Sequence, residues 1–250
     1  MTPLDQLCAT PFHEADAPRR ARILSRLADT ELFAALIEEP ADDRAELRIF
    51  PLAEGPVALA CDSEDRLAGF IGEAVAYVAL PGRVLAAALT KEKRGLLINP
   101  GAPSQMLLDP GLLGWLVTAL DAQPKLAPDE APRQVRAPLP EVVETLAEPL
   151  AVRLGDMVDL VSSAALLRTD WAADGAGHAI ILKGVAENRR PAIAKAIAEL
   201  LAFLPEIPGG VDIGFSDAEH PEVALILDPP EPEAAPAPPR RDPDAPPRLR

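Results

Sequence analysis

Leu96-Leu97-Ile98-Asn99-Pro100-Gly101 is the stretch on which the fold turns. Three apolar residues run without a spacer into a turn triplet. Asn before Pro is pushed into an extended conformation and Gly permits positive φ, so the segment reads as a buried strand that ends abruptly and reverses. Asn99, Pro100 and Gly101 are candidate binding residues, although a structural turn accounts for all three. On the structural reading Gly101→Val costs roughly 1 to 3 kcal/mol, and Asn99→Asp, which keeps the shape of the side chain, is mild.

Working outward, Pro81 opens a helix that carries Val84, Leu85, Ala88 and Leu89 on one face, and Gly95 breaks it before the strand. Asp109-Pro110 starts a helix through Leu120. Upstream, residues 74–79 read as a strand. Ser63 caps a helix whose first turn holds Glu64 and Asp65. Residues 46–52 and 56–61 are two apolar strands at hairpin spacing across Ala53-Glu54-Gly55. Residues 18–27 and 30–37 read as two short helices, the second with Leu32, Phe33, Leu36 and Ile37 at helical spacing and Pro40 as its stop. The order ααββαβαβα predicts an α+β unit with a mixed sheet covered by helices.

Residues 122–140 carry Pro124, Pro128, Pro132, Pro138 and Pro140, a composition that favours an extended connector. This divides the chain into a first domain at 1–122, a Pro-rich linker at 123–140 and a second domain at 141–228. In the second domain residues 139–151 are helical, and 158–168 and 178–185 are strands joined through an Asp174-Gly175 turn. Asn188 is positioned to cap a helix with Ile193, Ile197, Leu200, Leu201 and Leu204 as its stripe, followed by strands at 211–215 and 222–227. The pattern αββαββ predicts a smaller sandwich of one sheet and one helical layer. From 229 to 250, nine of 22 residues are Pro, so no apolar surface offsets chain entropy and a disordered tail is expected, dispensable for folding.

With 48% apolar residues the 250-residue chain can bury a sizeable core, but only nine residues are aromatic, and Trp115 and Trp171 are its expected large anchors. The net charge of −15 opposes phosphate backbones, because binding them needs clustered cations. Nucleic acid and anionic membrane are therefore not expected partners. No apolar stretch is long enough to span a bilayer. Cys8, in what reads as a loose N-terminal arm, and Cys61, at the end of an apolar run, form neither a disulfide framework nor a zinc signature. With no secretory signature at the start, a cytoplasmic location is expected.

His13, His178 and His220 show no metal-ligand spacing, no serine sits in a nucleophile elbow, and Gly209-Gly210 precedes a strand, the reverse of a phosphate loop. No catalytic residue, metal site or cofactor is expected. Paired carboxylates such as Glu38-Glu39 and Asp42-Asp43 fit a solvated face. Asp170-Trp171 at a hairpin end is the other candidate binding pair, since an aromatic at a strand tip can anchor a partner; core packing is its alternative.

The segment from about Leu24 to Leu120 resembles the N-terminal domain of the SseB family, through residues 47–52, 56–60, Asp62-Ser63-Glu64 and Leu97-Ile98-Asn99-Pro100-Gly101. Residues 135–228 are more loosely similar to the SseB C-terminal domain, through residues 178–184 and Val211-Asp212-Ile213. The resemblance implies a bacterial, cytoplasmic protein linked in name to serine sensitivity, with no agreed catalytic residues. The same label is used for a type III secretion translocator component, a meaning the absence of long hydrophobic segments argues against. The expectation is a non-enzymatic binding or regulatory protein that contacts another protein. The alternatives are a small-molecule sensor or amino-acid enzyme with a site between the domains, and a secretion-associated chaperone or effector. Oligomeric state is not legible.

Overall fold

The computed structural model describes residues 1–40, 45–128, 132–171 and 175–229. The Asp42-Asp43 pair, the Asp174 turn position and the tail from 230 onward lie outside the described residues. Strand β1 (Glu31–Ala35) and β2 (Ile49–Leu52) both pair antiparallel with the same edge of β3 (Gly55–Cys61), β1 with its C-terminal half and β2 with its N-terminal half. Strand β4 (Tyr77–Pro81) flanks β1. The opening motif forms β5 (Gly95–Ile98), parallel to β3 with Leu97 opposite Leu59, and β6 (Met106–Leu108) closes that side antiparallel. The result is a six-stranded mixed sheet of order β4-β1-β3-β5-β6, with β2 beside β3. A parallel pair needs a crossover, and the chain between β3 and β5 supplies it.

Helices α2 (Ala17–Asp29), α4 (Gly82–Lys91) and α5 (Pro110–Leu120) cover one face. Their Ile23, Leu27, Leu85, Leu89, Leu113 and Leu116 meet Leu32, Ala34, Ala58, Leu96 and Ile98 of the sheet. Helix α3 (Glu64–Ile71) lies on the opposite face with Leu67 against Ala35, Leu59 and Cys61. Asp16, Ser63 and Asp109 accept from backbone N–H groups at the starts of α2, α3 and α5, each satisfying a donor that the helix itself cannot.

The structure corrects four expectations in this half. Residues 30–37 are not a helix: β1 occupies their centre, with Leu32 and Ala34 on one face and Phe33 and Ala35 on the other. Both faces of this strand are covered, so its sequence is apolar throughout and carries no alternation to distinguish it from a helix. β6 was missed because three residues are too few for any periodicity. The N-terminal arm is docked: α1 (Pro3–Leu7) begins it, and Leu4, Cys8 and Phe12 are buried in the main core. Trp115 is not a core anchor, being 44% exposed, and it meets Phe203 edge-on at 5.6 Å between ring centroids.

The second half builds a five-stranded sheet from β7 (Gln134–Arg136), β8 (Ser163–Trp171), β9 (Gly175–Lys183), β10 (Val211–Phe215) and β11 (Leu225–Leu227). Its order is β10-β9-β8-β11, with β7 also on β8. Helices α6 (Pro140–Gly155) and α7 (Arg190–Ala202) lie on one face, and Leu146, Leu150, Ile193 and Ile197 pack on Leu166, Ile180, Leu182 and Ile213. Helix α7 is the crossover between the parallel strands β9 and β10. Two readings shift here. β8 starts only at Ser163, because turns at Met157 carry the chain to Val161. Asn188 does not cap α7; it lies in a short 3-10 turn, Glu187–Arg189, that runs directly into the helix without a side-chain cap.

The proline-bearing stretch is hydrogen-bonded to this second sheet. Ala127 N–H donates to Ile213 O at 2.8 Å, Ile213 N–H donates to Lys125 O at 2.7 Å, and β7 pairs with β8. The halves also meet through side chains. Arg83 donates to both Glu199 oxygens at 3.2 and 3.1 Å and reaches Asp29, which Arg153 contacts at 2.9 Å. Lys195 Nζ donates to the carbonyls of Leu120 and Ala122, both at 2.6 Å, where α5 ends. Burial pulls the Asp29 carboxyl up, but the hydrogen bonds from Arg153 and Arg83 outweigh it and hold the group below its ordinary value.

Candidate functional site

The triplet Asn99-Pro100-Gly101 divides between inside and outside. Asn99 is fully buried with φ of 47°, which corrects the extended conformation expected of a residue before Pro: it is left-handed, a conformation that Asn tolerates better than most residues. Its Oδ1 accepts from Asp62 N–H at 2.9 Å and its Nδ2 donates to Ser104 Oγ at 2.8 Å. Ser104 O–H donates onward to Asp5 Oδ1 at 2.6 Å. Arg66 reaches Asp5 and Asp62, the latter at 2.9 Å, and Thr2 O–H donates to Asp62 Oδ2 at 2.6 Å. Gly101, with φ of 79°, is exposed and donates its N–H to Gln105 Oε1 at 2.7 Å.

These six side chains close over the C-terminal ends of the parallel strands β3 and β5, the end at which open α/β sheets usually receive ligands. Here the chain's own α1 fills it. The Arg66 guanidinium, bonded to Asp5, holds that carboxyl far below the usual carboxylate range. The buried polar side-chain atoms of the cluster all have partners, so it acts as a clamp between the N-terminus and the sheet. Sequence reading found Asn99 and missed Thr2, Asp5, Asp62, Arg66 and Ser104, because the partners are up to 99 residues apart. The one local signal was the Asp62–Arg66 spacing, an i,i+4 pair. Burial pushes the adjacent Cys61 thiol up to about 11 and raises Cys8 as well, so both stay protonated at neutral pH.

The face of the first sheet opposite the main core is apolar across β3, β5 and β6. Register places Phe33, Val57, Leu59, Leu97 and Leu107 on it, with Phe50 opposite Val57 and Leu52 opposite Gly55. Helix α3 covers the Ala35–Leu59–Cys61 part with Leu67 and Ile71. Leu52 at 39% and Leu107 at 38% remain exposed, as does Phe70 of α3 at 52%. The Arg48 guanidinium lies over the Phe50 ring at 5.3 Å from its centroid. A sheet face open to water ordinarily alternates to polar residues. This one does not.

Asp170 and Trp171 lie at the far end of β8, on the second sheet, and the structure does not bring them to the Asn99 cluster. Trp171 is 4% exposed and packs inward. Asp170 is half-buried and lines a small pocket of about 40 Å³ with Gln134, Arg136, Arg168, Thr169 and Ala176. At the other end of β8 Ser163 Oγ and His220 Nε2 are 2.9 Å apart, a pair that sequence separation hid. Nucleophilic use of such a pair needs a third group orienting the imidazole, and none contacts His220 among the described residues. His178 is buried on β9, where burial and then the charge of Arg168 lower its affinity for a proton. Among the described residues no three His, Cys, Asp or Glu side chains gather as a metal site, and no helix is long and apolar enough to cross a membrane.

Residues 8–115 match the family model for the SseB protein N-terminal domain. The chain carries an SseB N-terminal domain. The matched region runs from the end of α1 to the middle of α5 and so takes in the whole first sheet, the apolar face and the Asn99 turn. The match stops before the second sheet. No curated protein and no solved structure matches the chain.

Proposed function

We propose that this SseB-domain protein is a non-enzymatic binding or regulatory protein that acts by contact with another protein, docked on the open face of the first sheet. One observation carries the reading: Leu52 and Leu107 stay more than a third exposed on this apolar face, flanking Phe50 and Leu97, which are half-buried against the α3 cluster. Apolar side chains left open to water on a sheet face can serve as docking points, and aromatic residues with a flanking Arg are side chains enriched in interfaces. The closed clamp over the ends of β3 and β5 supports the same reading, because the usual ligand position there is already filled. Two free cysteines fit a reducing, cytoplasmic setting. The name-level link of the family to serine sensitivity would then operate through such a partner.

The test is affinity purification from the native bacterium with the tagged chain and with a Leu52→Glu/Leu107→Glu variant. Both side chains are more than a third exposed, so the substitutions leave the fold near wild-type stability. A protein retained by the wild type and lost from the variant supports the reading. The same proteins retained by both, or none retained by either, overturns it.

A further inference from the structure

Arg136, Arg168 and His178 stand in one cross-strand row of the second sheet, each the register partner of the next. Like charges directly opposite one another in adjacent strands destabilise a sheet. Arg136 has a contact with the Gln134 side-chain oxygen at 2.5 Å, and neither arginine makes an ion pair among the described residues. The pocket they line measures about 40 Å³. At roughly 10 to 15 Å³ per water-sized centre that is room for about three heavy atoms, the size of a carboxylate group. Next in the row, Leu139 N–H donates to His178 Nε2 at 3.4 Å, which leaves the proton of the neutral ring on Nδ1. That buried nitrogen has no acceptor among the described residues. The paired cationic forks and a vacancy with room for a carboxylate group call for an acceptor-rich ligand.

We propose that this row binds the carboxylate of a small organic acid, with Arg168 as the bidentate anchor and Arg136 as the second donor. Asp170 lines the same pocket and makes no ion pair among the described residues. Its carboxylate repels a dianion and accepts from an ammonium or hydroxyl, which narrows the ligand to a monocarboxylate with an amino or hydroxyl group on the neighbouring carbon. Arg is suited to the role because its planar fork matches the two carboxylate oxygens, a match that Lys cannot make. The site is separate from the apolar face and stands whether or not that face docks a partner.

The full chain, labelled with ¹⁵N, is titrated with glycine, glycolate, acetate and inorganic phosphate at constant ionic strength set with sodium chloride, while the Arg Nε–H and Gln134 side-chain resonances are followed. Glycine and glycolate give saturable shifts with dissociation constants of about 1 mM, and acetate binds more weakly. Arg168→Gln weakens binding by about tenfold or more, and Arg168→Lys, which keeps the charge without the fork, also weakens it. Arg168→Gln relieves the like-charge pair and therefore melts no lower than wild type, so loss of binding is not loss of fold. Shifts that never saturate, or that are the same in wild type and Arg168→Gln, overturn the proposal. Phosphate binding as tightly as glycolate overturns the monocarboxylate assignment.

Discussion

Replacing Asn99 by Asp changes one nitrogen to one oxygen, and the structure makes it among the costliest small changes in the chain. The Nδ2 of Asn99 donates to Ser104 Oγ, while the only hydroxyl proton of Ser104 is already given to Asp5. An Asp at 99 therefore points acceptor at acceptor, in full burial, beside Asp5 and Asp62, whose shared Arg66 is already engaged. Losing the hydrogen bond costs about 1 kcal/mol, and leaving the serine oxygen and a carboxylate oxygen unmatched costs about 1 to 3 kcal/mol more. A total of about 2 to 4 kcal/mol lowers the melting midpoint of a chain this long by on the order of 10 °C. The penalty falls with pH, because the new carboxyl binds a proton more readily when folded than when unfolded, so destabilisation grows above its unfolded pKa and is relieved as the pH drops. Gly101→Ala is the control: an added Cβ meets nothing within 4 Å, leaving only the strain at φ of 79°, about 1 to 2 kcal/mol. Thermal melts of wild type, Asn99→Asp and Gly101→Ala at pH 8 and pH 5 decide the matter. A loss for Asn99→Asp under about 2 °C, or a loss equal at the two pH values, refutes the clamp and restores the mild outcome that shape alone suggests.

Gly82→Ala places a Cβ 2.1 Å from the Leu27 carbonyl oxygen where α4 abuts α2, so it should cost about 2 to 4 kcal/mol by forcing the helices apart, read from chemical denaturation. Asp5 has its folded pKa lowered, so its contribution is present above the unfolded value of about 4 and is lost as the pH falls below it. The stability gap between wild type and Asp5→Asn should therefore shrink between pH 7 and pH 3, and a constant gap would contradict the Arg66 pairing. Phe203→Ala removes a buried ring that α7 inserts beside Trp115; it should cost about 3 to 5 kcal/mol. Residues 1–122 expressed alone should melt below the full chain, since they lose Phe203 and the Glu199 partner of Arg83. Equal midpoints would show that the two halves do not support one another.

The elements that sequence located best are those whose signals are local: the Ser63 and Asp109 caps, the hairpin across Ala53-Glu54, the α7 stripe and the Ile98–Asn99 strand end. Each depends on residues within a few positions of one another. β1 was misread because a strand covered on both faces has the same apolar run as a short helix, and only its neighbours β3 and β4 decide between them. The candidate sites were less legible still. Asn99 could be picked out by its turn chemistry, but that it belongs to a cluster with Asp5 and Ser104 depends on α1 folding back over the sheet. The apolar face is invisible in sequence because Leu97 and Leu107 look like ordinary core residues until the strands are in register. The Arg136–Arg168–His178 row is likewise a product of register and not of spacing.

The central claim, that the open face of the first sheet docks a protein partner, is tested most directly by backbone hydrogen exchange on the captured complex against the free chain. The account predicts that protection on binding concentrates at Ile49–Leu52, Gly95–Ile98 and Met106–Leu108. Protection confined to the second sheet, or to α2 and α5 on the opposite side of the first, would contradict it.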